Sequence, residues 1–178
     1  MSAEGNRKDP ADTHALVFTT AYRRFSPVVL GYLKARGVED AEAVTQDVFL
    51  ALYPRLAELT GGIEGMRTLL FSIAHARVVD HHRARTRSPE VVEYVPDEDL
   101  RTAGSAEDDA LAGPAGVLAH LAHLSDEHRE VLALRVVADL SLEATAAVMQ
   151  RSPGAVKQLQ RRALMALRDR VSAPEVLA

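Results

Sequence analysis

The sequence predicts an all-α fold of two small helical domains joined by a flexible acidic linker. Three observations predict it. Apolar residues recur at helical spacing along most of the chain, and strand patterns are absent. Hydrophobic residues make up 47% of the 178 residues but aromatic residues only 4%, so the cores must be built from Ala, Leu and Val in closely packed helices. Finally, an acidic stretch containing Pro and Gly separates two helical blocks.

Composition shifts along the chain predict four segments. Residues 1–12 form a polar tail that we expect to be disordered. Residues 13–87 form the first helical domain and residues 114–173 the second. Residues 88–113 form the acidic linker, with eight acidic side chains against one arginine, Arg101. Taken alone, this linker is predicted to be flexible and solvated.

Several classes of protein are excluded by composition. The chain has no Cys, which rules out disulfides, thiolate catalysis and Cys-based zinc sites. No apolar run approaches the roughly 20 residues that span a bilayer. The polar N-terminus lacks the apolar core of a signal peptide. We therefore expect a cytoplasmic protein with no membrane insertion, no metal and no cofactor.

The first block is predicted to contain three helices. The first begins at Asp12 or Thr13, is kinked or restarted at Pro27, and is broken by Gly37. The second has acidic residues in its first turn and an apolar residue every fourth position: Val44, Val48, Leu52 and Leu56. The third runs from about Gly65 through Arg85.

The second block is predicted to end in two helices joined by a tight turn. After a helix over about 115–124, Ser125 caps the next helix, and Ser141 begins a short one. A turn over 150–153 follows, with Ser152 as cap and Pro153 at the first helical position. The last helix then buries Val156, Leu159, Ala163 and Leu167, and it turns outward Lys157, Gln158, Arg161, Arg162, Met165 and Arg168.

A short helix, a tight turn and a longer helix with a basic outer face together favour a helix-turn-helix that binds DNA. Lys157, Arg161 and Arg162 can neutralise phosphates or pair with guanine, and Gln158 can pair with adenine. Gly154 and Ala155 are small enough for the backbone to approach a duplex. The alternative is that the arginines form an ordinary solvated face.

A second basic stretch strengthens the DNA-binding interpretation. HARVVDHHRARTR, residues 75–87, carries four arginines and three histidines against one acid, Asp80. One basic helix therefore lies in each block, with an acidic connector between them. That arrangement is typical of a protein that grips nucleic acid at two separated places.

Three collinear segments resemble bacterial RNA polymerase sigma factors of the extracytoplasmic-function (ECF) type, in the sigma-70 family. GVEDAEAVTQDVFLALYPRL (37–56) resembles the region 2 helix, and LLFSIAHARVVDHHRARTR (69–87) resembles the segment after it. Residues 124–169 are similar to region 4 with its recognition helix. The usual tryptophan is Leu69 here and the usual asparagine is Ala76, which alters base readout at the −10 element. Ser125 replaces a proline, and Ala144-Thr145-Ala146 replaces the usual EIA.

The resemblance implies a transcription initiation factor rather than an enzyme, and it implies three sets of site residues. RNA polymerase core would bind Asp40, Glu42, Gln46, Asp47 and Phe49, with Phe49 partly exposed because it lies one position off the apolar stripe. The −10 element would contact the loop and basic helix through Gly61, Gly62, Glu64, Met66, Arg67, His75, Arg77, Arg83 and Arg85. The −35 element would contact Ser152, Gly154, Ala155, Lys157, Gln158, Arg161 and Arg162.

The resemblance also implies two features of regulation. An anti-sigma factor is expected to cover the surfaces that bind polymerase and promoter DNA. The acidic linker is expected to thread the polymerase cleft and to be displaced by growing RNA, so shortening residues 96–109 should change abortive transcription and promoter escape. Without the resemblance, the loop over 60–68 is a simple Gly-rich turn.

Three other interpretations remain open on the residues. VVDHH (78–82) spells a signature of metal-dependent phosphoesterases, but it lies in a helical pattern between arginines, whereas that signature follows a buried strand. His120 and His123 have the spacing of metal ligands on a helix, although no third ligand is evident. A stand-alone helix-turn-helix regulator would also fit, and it would need a dimer interface to gain affinity.

Overall fold

The structure is a computed structural model that describes residues 10–87 and 121–171. The acidic linker, most of the predicted polar tail, most of the helix predicted over 115–124, and His120 lie outside the described residues. Within the two described ranges there is no strand, and the all-α prediction is confirmed.

Six α-helices lie within the described residues. They are α1 (Pro10–Ala35), α2 (Ala41–Leu52), α3 (Gly62–Arg87), α4 (Asp126–Leu132), α5 (Leu142–Met149) and α6 (Pro153–Val171). A 3₁₀ helix, Tyr53–Glu58, extends α2, and a π-helical segment, Ala133–Val137, extends α4. The 3₁₀ segment begins where Pro54, with no N–H to donate, follows α2.

Side-chain caps fix where the helices begin, as the sequence predicts. Ser141 Oγ accepts from the backbone N–H of Ala144 at 3.0 Å, and Ser152 Oγ accepts from that of Ala155 at 3.2 Å. Ser125 caps α4 in the same way. At α2 it is the Asp40 carboxylate that accepts, from the N–H of Ala43 at 3.3 Å.

The prediction that the first helix restarts at Pro27 is wrong, and the alternative of a kink at Pro27 stays a prediction. α1 runs without a break through that position. A proline inside a helix removes the hydrogen bond to the carbonyl four residues earlier, which here belongs to Arg23. Both Arg23 and Pro27 are exposed, so water can satisfy that carbonyl. Burial of Phe25, Val29 and Leu33 on the opposite side holds the helix together across the lost bond.

The two helical blocks pack against each other. Their buried apolar side chains form one contiguous cluster that runs from Phe25 and Phe71 in the first block to Leu134 and Val156 in the second. Gly31 of α1 lies against the π-helical segment, where a Cβ added at Gly31 would be 3.4 Å from Val137 Cγ1. No helix in the described part of the chain is long and apolar enough to cross a membrane.

Candidate nucleic-acid and polymerase interfaces

Helices α5 and α6 form a helix-turn-helix around a sharp turn. Gln150 ends α5 in the left-handed region, with φ 53°, and the N–H of Arg151 donates to the carbonyl of Ala146 at 3.0 Å. Ser152 and Pro153 then start α6 at once. Only residues 150–152 separate α5 from α6, and the first residues of α6, 153–155, are exposed.

No residue in the described ranges buries the outer face of α6. Val156, Leu159 and Ala163 are buried as predicted, while Leu167 is only half-buried. All seven residues predicted for the −35 element are exposed: Ser152, Gly154, Ala155, Lys157, Gln158, Arg161 and Arg162. Among residues 10–87 and 121–171, no atom lies within 4 Å of a Cβ placed at Gly154, so these residues leave this end of the helix open to a large partner. A duplex could reach it through the major groove.

Two arginines outside the outer face hold α6 in place. Arg135 donates from Nε to Oε1 of Gln160 in α6 at 3.2 Å, and its Nη1 donates to the carbonyl of Leu140. Arg151, in the turn, pairs with Glu127 of α4. These contacts connect the turn to α4 and connect α6 to the π-helical segment, so they fix the orientation of α6.

The loop before α3 is shaped by three glycines. Gly61 and Gly62 have φ of 80° and 59°, which disfavours side chains there. A Cβ at Gly65 would lie 1.9 Å from the carbonyl oxygen of Thr60, so the loop folds tightly over the first turn of α3. An open cavity of about 580 Å³ lies beside this loop, lined by Arg55, Glu58, Leu59, Thr60, Gly65, Thr68, Leu69 and Ser72.

The residues predicted for the −10 element fall into three groups. Six are exposed: Gly61, Gly62, Glu64, Arg77, Arg83 and Arg85. Met66 is buried, which contradicts the expectation that it meets DNA, because its side chain packs into the core under the first turn of α3. Arg67 and His75 are engaged by the second block, through Asp139 and Glu130 respectively.

The exposed face of α2 carries the residues predicted for polymerase. Glu42, Gln46 and Asp47 are exposed, and so is Asp40, although its carboxylate also caps the helix. Phe49 is wrongly predicted to be partly exposed. It is 1% exposed, and its ring packs edge-on against Phe18 and Tyr22. Phe49 lies one position from the apolar stripe of α2, and this position still faces α1. Burial there stabilises a large aromatic ring more than exposure to solvent would.

Sequence reasoning missed the apolar residue that this face does expose. Leu50 is 69% exposed, four residues after Gln46, and Tyr53 is 45% exposed one turn further on. Together with Glu42, Gln46 and Asp47 they form what we call the α2 surface. The available signal was that Leu50 lies two positions past Val48, on the side of the helix away from the apolar stripe.

The alternative metal-binding interpretations find no support in the geometry. Residues 78–82 lie within α3, not after a strand. In the described ranges, no group of three or more His, Asp or Glu side chains could hold a metal ion. The partner of His123 in that proposal, His120, lies outside them.

The helix-turn-helix with its projecting basic helix defines a DNA-binding protein, and comparison with known proteins specifies the class. Residues 120–169 match the family model "Sigma-70, region 4". The chain is 31% identical over 189 residues to the ECF RNA polymerase sigma factor SigD of Mycobacterium tuberculosis (strain ATCC 25618 / H37Rv), covering 97% of this chain and 88% of SigD. It is 30% identical over 154 residues to the ECF RNA polymerase sigma factor BldN of Streptomyces coelicolor, covering 84% of this chain and 58% of BldN.

Two solved structures share the fold. CnrH, in complex with the cytosolic domain of CnrY, matches with a TM-score of 0.64 and 22% identity over 92% of this chain and 95% of CnrH. The sigma factor RpoE from Bartonella quintana, in complex with the anti-sigma factor NepR, matches with a TM-score of 0.69 and 20% identity over 89% of this chain and 98% of RpoE. The chain belongs to the family of ECF RNA polymerase sigma factors.

Proposed function

We propose that this protein is a transcription initiation factor that binds RNA polymerase core, directs it to promoters by recognising −10 and −35 elements, and is controlled by an anti-sigma factor. It performs no catalysis of its own. The observation that carries the proposal is the first part of α6, where Lys157, Gln158 and Arg161 are exposed on a helix that the turn at 150–152 projects outward. Helices presented in this way read base edges from the major groove.

At the −10 element, the cavity beside the 60–65 loop is suited to an extruded base. Extruding a base costs a few kcal/mol, which a pocket and nearby cationic groups must offset. The cavity lining includes one guanidinium, Arg55, and one carboxylate, Glu58, together with the apolar side chain of Leu69 and the hydroxyls of Thr68 and Ser72, which donate to helix carbonyls and can accept from a base. Arg77 and Arg83, exposed further along α3, would then contact the strand's phosphates.

At the polymerase, the α2 surface combines acidic and amide groups with an apolar anchor. Glu42 and Asp47 would steer a basic partner helix, and burial of Leu50 would add affinity. The direct test is gel filtration of the purified protein mixed with polymerase core, followed by run-off transcription. Co-elution and promoter-dependent transcripts support the proposal, whereas stable homodimers that do not co-elute would favour a stand-alone regulator.

The role of Leu50 can be tested with a matched control. Leu50→Ala should weaken binding to core about tenfold, since it removes a central anchor. Leu16→Ala makes the same change at a residue that is 60% exposed in the same block but lines a different groove, with Ile63 and Met66. Equal effects of the two substitutions would remove the α2 surface from the proposal.

Control by an anti-sigma factor is proposed from the fold shared with two proteins that were each captured with a regulatory partner or partner domain. On this chain, an open cavity of about 340 Å³ between α1 and α2 adjoins the α2 surface; its lining includes Tyr22, Leu30, Glu42 and Gln46. A partner seated there would block polymerase. Co-expression with proteins encoded beside the gene should yield a complex that suppresses run-off transcription, and that suppression should weaken with Leu50→Ala.

A further inference from the structure

The cavity beside the 60–65 loop carries polar side chains that the sequence did not predict for the −10 element. Part of its lining is a stripe at helical spacing along α3: Gly65, Thr68, Leu69 and Ser72. Arg55 and Glu58, which also line it, come from the 3₁₀ helix that follows α2. The hydrogen-bonding groups of this lining determine which ligand the cavity can hold.

The hydroxyls of Thr68 and Ser72 have already used their hydrogens. Thr68 Oγ1 donates to the carbonyl of Glu64 at 2.9 Å, and Ser72 Oγ donates to the carbonyl of Thr68 at 2.8 Å. A hydroxyl has one hydrogen and two lone pairs, so while these bonds hold each oxygen can only accept from a further partner. Both residues are half-buried, and they present acceptors to a ligand in the cavity.

Glu58 adds a carboxylate, which when ionised also only accepts. It is exposed, and within the described residues no cationic side chain forms an ion pair with it. A carboxylate at this place repels the phosphates of a promoter strand. Hydrogen bonds that it accepts from the N–H groups of a base would offset that repulsion, because bonds to a charged acceptor are strong.

Arg55 supplies the cationic group of the lining. Among the described residues around the cavity it is the one whose side chain carries a positive charge. Each of the four bases has a ring nitrogen or a carbonyl oxygen that can accept from a guanidinium. Arg55 therefore favours binding of any base, and it leaves the choice of base to the acceptors.

We propose that the cavity selects a base with an exocyclic amino group at the extruded position of the −10 element, and that Glu58, Thr68 and Ser72 make the selection. Cytosine donates from N4 and adenine from N6, whereas thymine has a carbonyl oxygen, O4, in place of the amino group. That oxygen would face acceptors and leave both sides without a hydrogen bond, which costs free energy in a partly dry site. The inference rests on the proposed function, because it assumes that an extruded base enters this cavity.

The sharpest comparison is between cytosine and uracil, which have rings of the same size. Uracil lacks the methyl group of thymine, and it differs from cytosine by O4 and N3–H in place of the amino group and the bare N3. We would assemble this protein with polymerase core and measure its binding to a labelled promoter whose −10 region is held open by mismatches. Deoxycytidine or deoxyuridine replaces each non-template base of that region in turn. At one position, deoxycytidine should bind about tenfold more tightly than deoxyuridine.

Two substitutions assign this preference to the cavity. Glu58→Gln keeps the size of the side chain but adds a donor that uracil can accept from, and Ser72→Ala removes an acceptor. Each should reduce the preference severalfold, with circular dichroism showing that the variant folds. Asp80→Asn is the control, since it removes an exposed carboxylate of α3 that does not line the cavity. Loss of repulsion alone changes both affinities by the same factor, so the control should leave the preference unchanged.

The outcomes separate this inference from the proposed function. If no position favours deoxycytidine, or if the favoured base is deoxyuridine, the selection is overturned, and promoter-dependent transcription by the same holoenzyme would leave the sigma-factor function standing. A preference that persists unchanged in both Glu58→Gln and Ser72→Ala would belong to another part of the holoenzyme and would also overturn it. If wild type with polymerase core neither binds nor transcribes any promoter, both the proposed function and the inference fail.

Discussion

The guanidinium of Arg36 and the carboxylate of Glu130 lie 2.6 Å apart, both with side chains less than a tenth exposed, although 94 positions separate them in the chain (130 − 36). Arg36 Nη1 also donates to the carbonyl of Asp126 at 3.0 Å, at the start of the helix that carries Glu130. A single side chain at the end of α1, Arg36, thus contacts both the first turn and the middle of α4. Separating this pair while both side chains stay buried would leave two charges without partners, which is strongly destabilising.

Arg36→Ala should lower the free energy of unfolding by about 3 kcal/mol, because Glu130 would remain buried without its cation. The matched control is Arg85→Ala. Arg85 also pairs with a carboxylate, Glu39 at 2.9 Å, but both side chains are more than half exposed. Exposed pairs contribute at most about 1 kcal/mol, so this change should be nearly neutral. Urea denaturation of both variants measures the difference, and equal losses would show that burial of the Arg36 pair contributes nothing.

Acidification should weaken the contact between the blocks. Burial alone would raise the pKa of Glu130, but the hydrogen bond with His75 and the charge of Arg36 outweigh it and hold that pKa below its usual 4.5. A carboxyl with a depressed pKa in the folded state contributes stability that is complete above its unfolded value and lost as pH falls through its folded value. Glu130 lines an open cavity of about 250 Å³, and the other charged or titratable side chains that line it are Arg36, His75, Asp126, Glu127 and Arg151.

The measurement is the difference in unfolding free energy between wild type and Glu130→Gln as a function of pH. Because glutamine does not titrate, that difference isolates Glu130 from other groups that titrate alike in both proteins. We expect the difference to hold its full value down to about pH 5 and to shrink as the pH falls below 4.5. If the difference in unfolding free energy instead grew on acidification, the pKa of Glu130 would be raised, not lowered, in the folded protein.

Gly65→Ala should impair the −10 loop while leaving the helix-turn-helix intact. The added methyl would lie 1.9 Å from the Thr60 carbonyl oxygen, so the loop backbone must move, at a cost of about 1–3 kcal/mol. Run-off transcription should fall severalfold with binding of −35 duplex DNA unchanged. Gly31→Ala is the control, since its methyl would only touch Val137 at 3.4 Å. Full transcription by Gly65→Ala would show that the loop conformation does not matter to promoter use.

Substitutions on α6 should separate affinity from sequence choice at the −35 element. Lys157→Ala should weaken use of all promoters alike, as expected for a phosphate contact. Arg161→Ala and Gln158→Ala should change which −35 sequences are preferred, at a cost of about 1–3 kcal/mol for the favoured base. Arg170→Ala, at a residue that is also exposed but lies at the far end of α6, controls for loss of charge. An in vitro transcription series over −35 variants decides it: identical profiles for wild type and Arg161→Ala would exclude Arg161 from readout.

Most of the helices, and the residues at which they begin, could be predicted from the sequence because short-range interactions determine them. Ser141 and Ser152 start helices through hydrogen bonds to residues three positions away, and the stripe of Val156, Leu159 and Ala163 repeats within one helix. Errors arose where packing overrides a local rule. Pro27 stays inside α1 because its neighbours on the opposite face are buried, and Phe49 turns inward to meet Phe18 and Tyr22.

The sequence by itself determined an all-α chain in two blocks with a basic, outward-facing helix near its end, because helical periodicity and caps are local properties of the residues. Only the tertiary structure decided that Glu130 meets Tyr32, Arg36 and His75, and that Arg67 of α3 meets Asp139. In the sequence, nothing distinguishes Glu130 from Asp126 and Glu127, the other acidic residues of the helix SDEHREVL. A charge is buried only where distant partners converge on it, and that convergence is set by how whole helices pack.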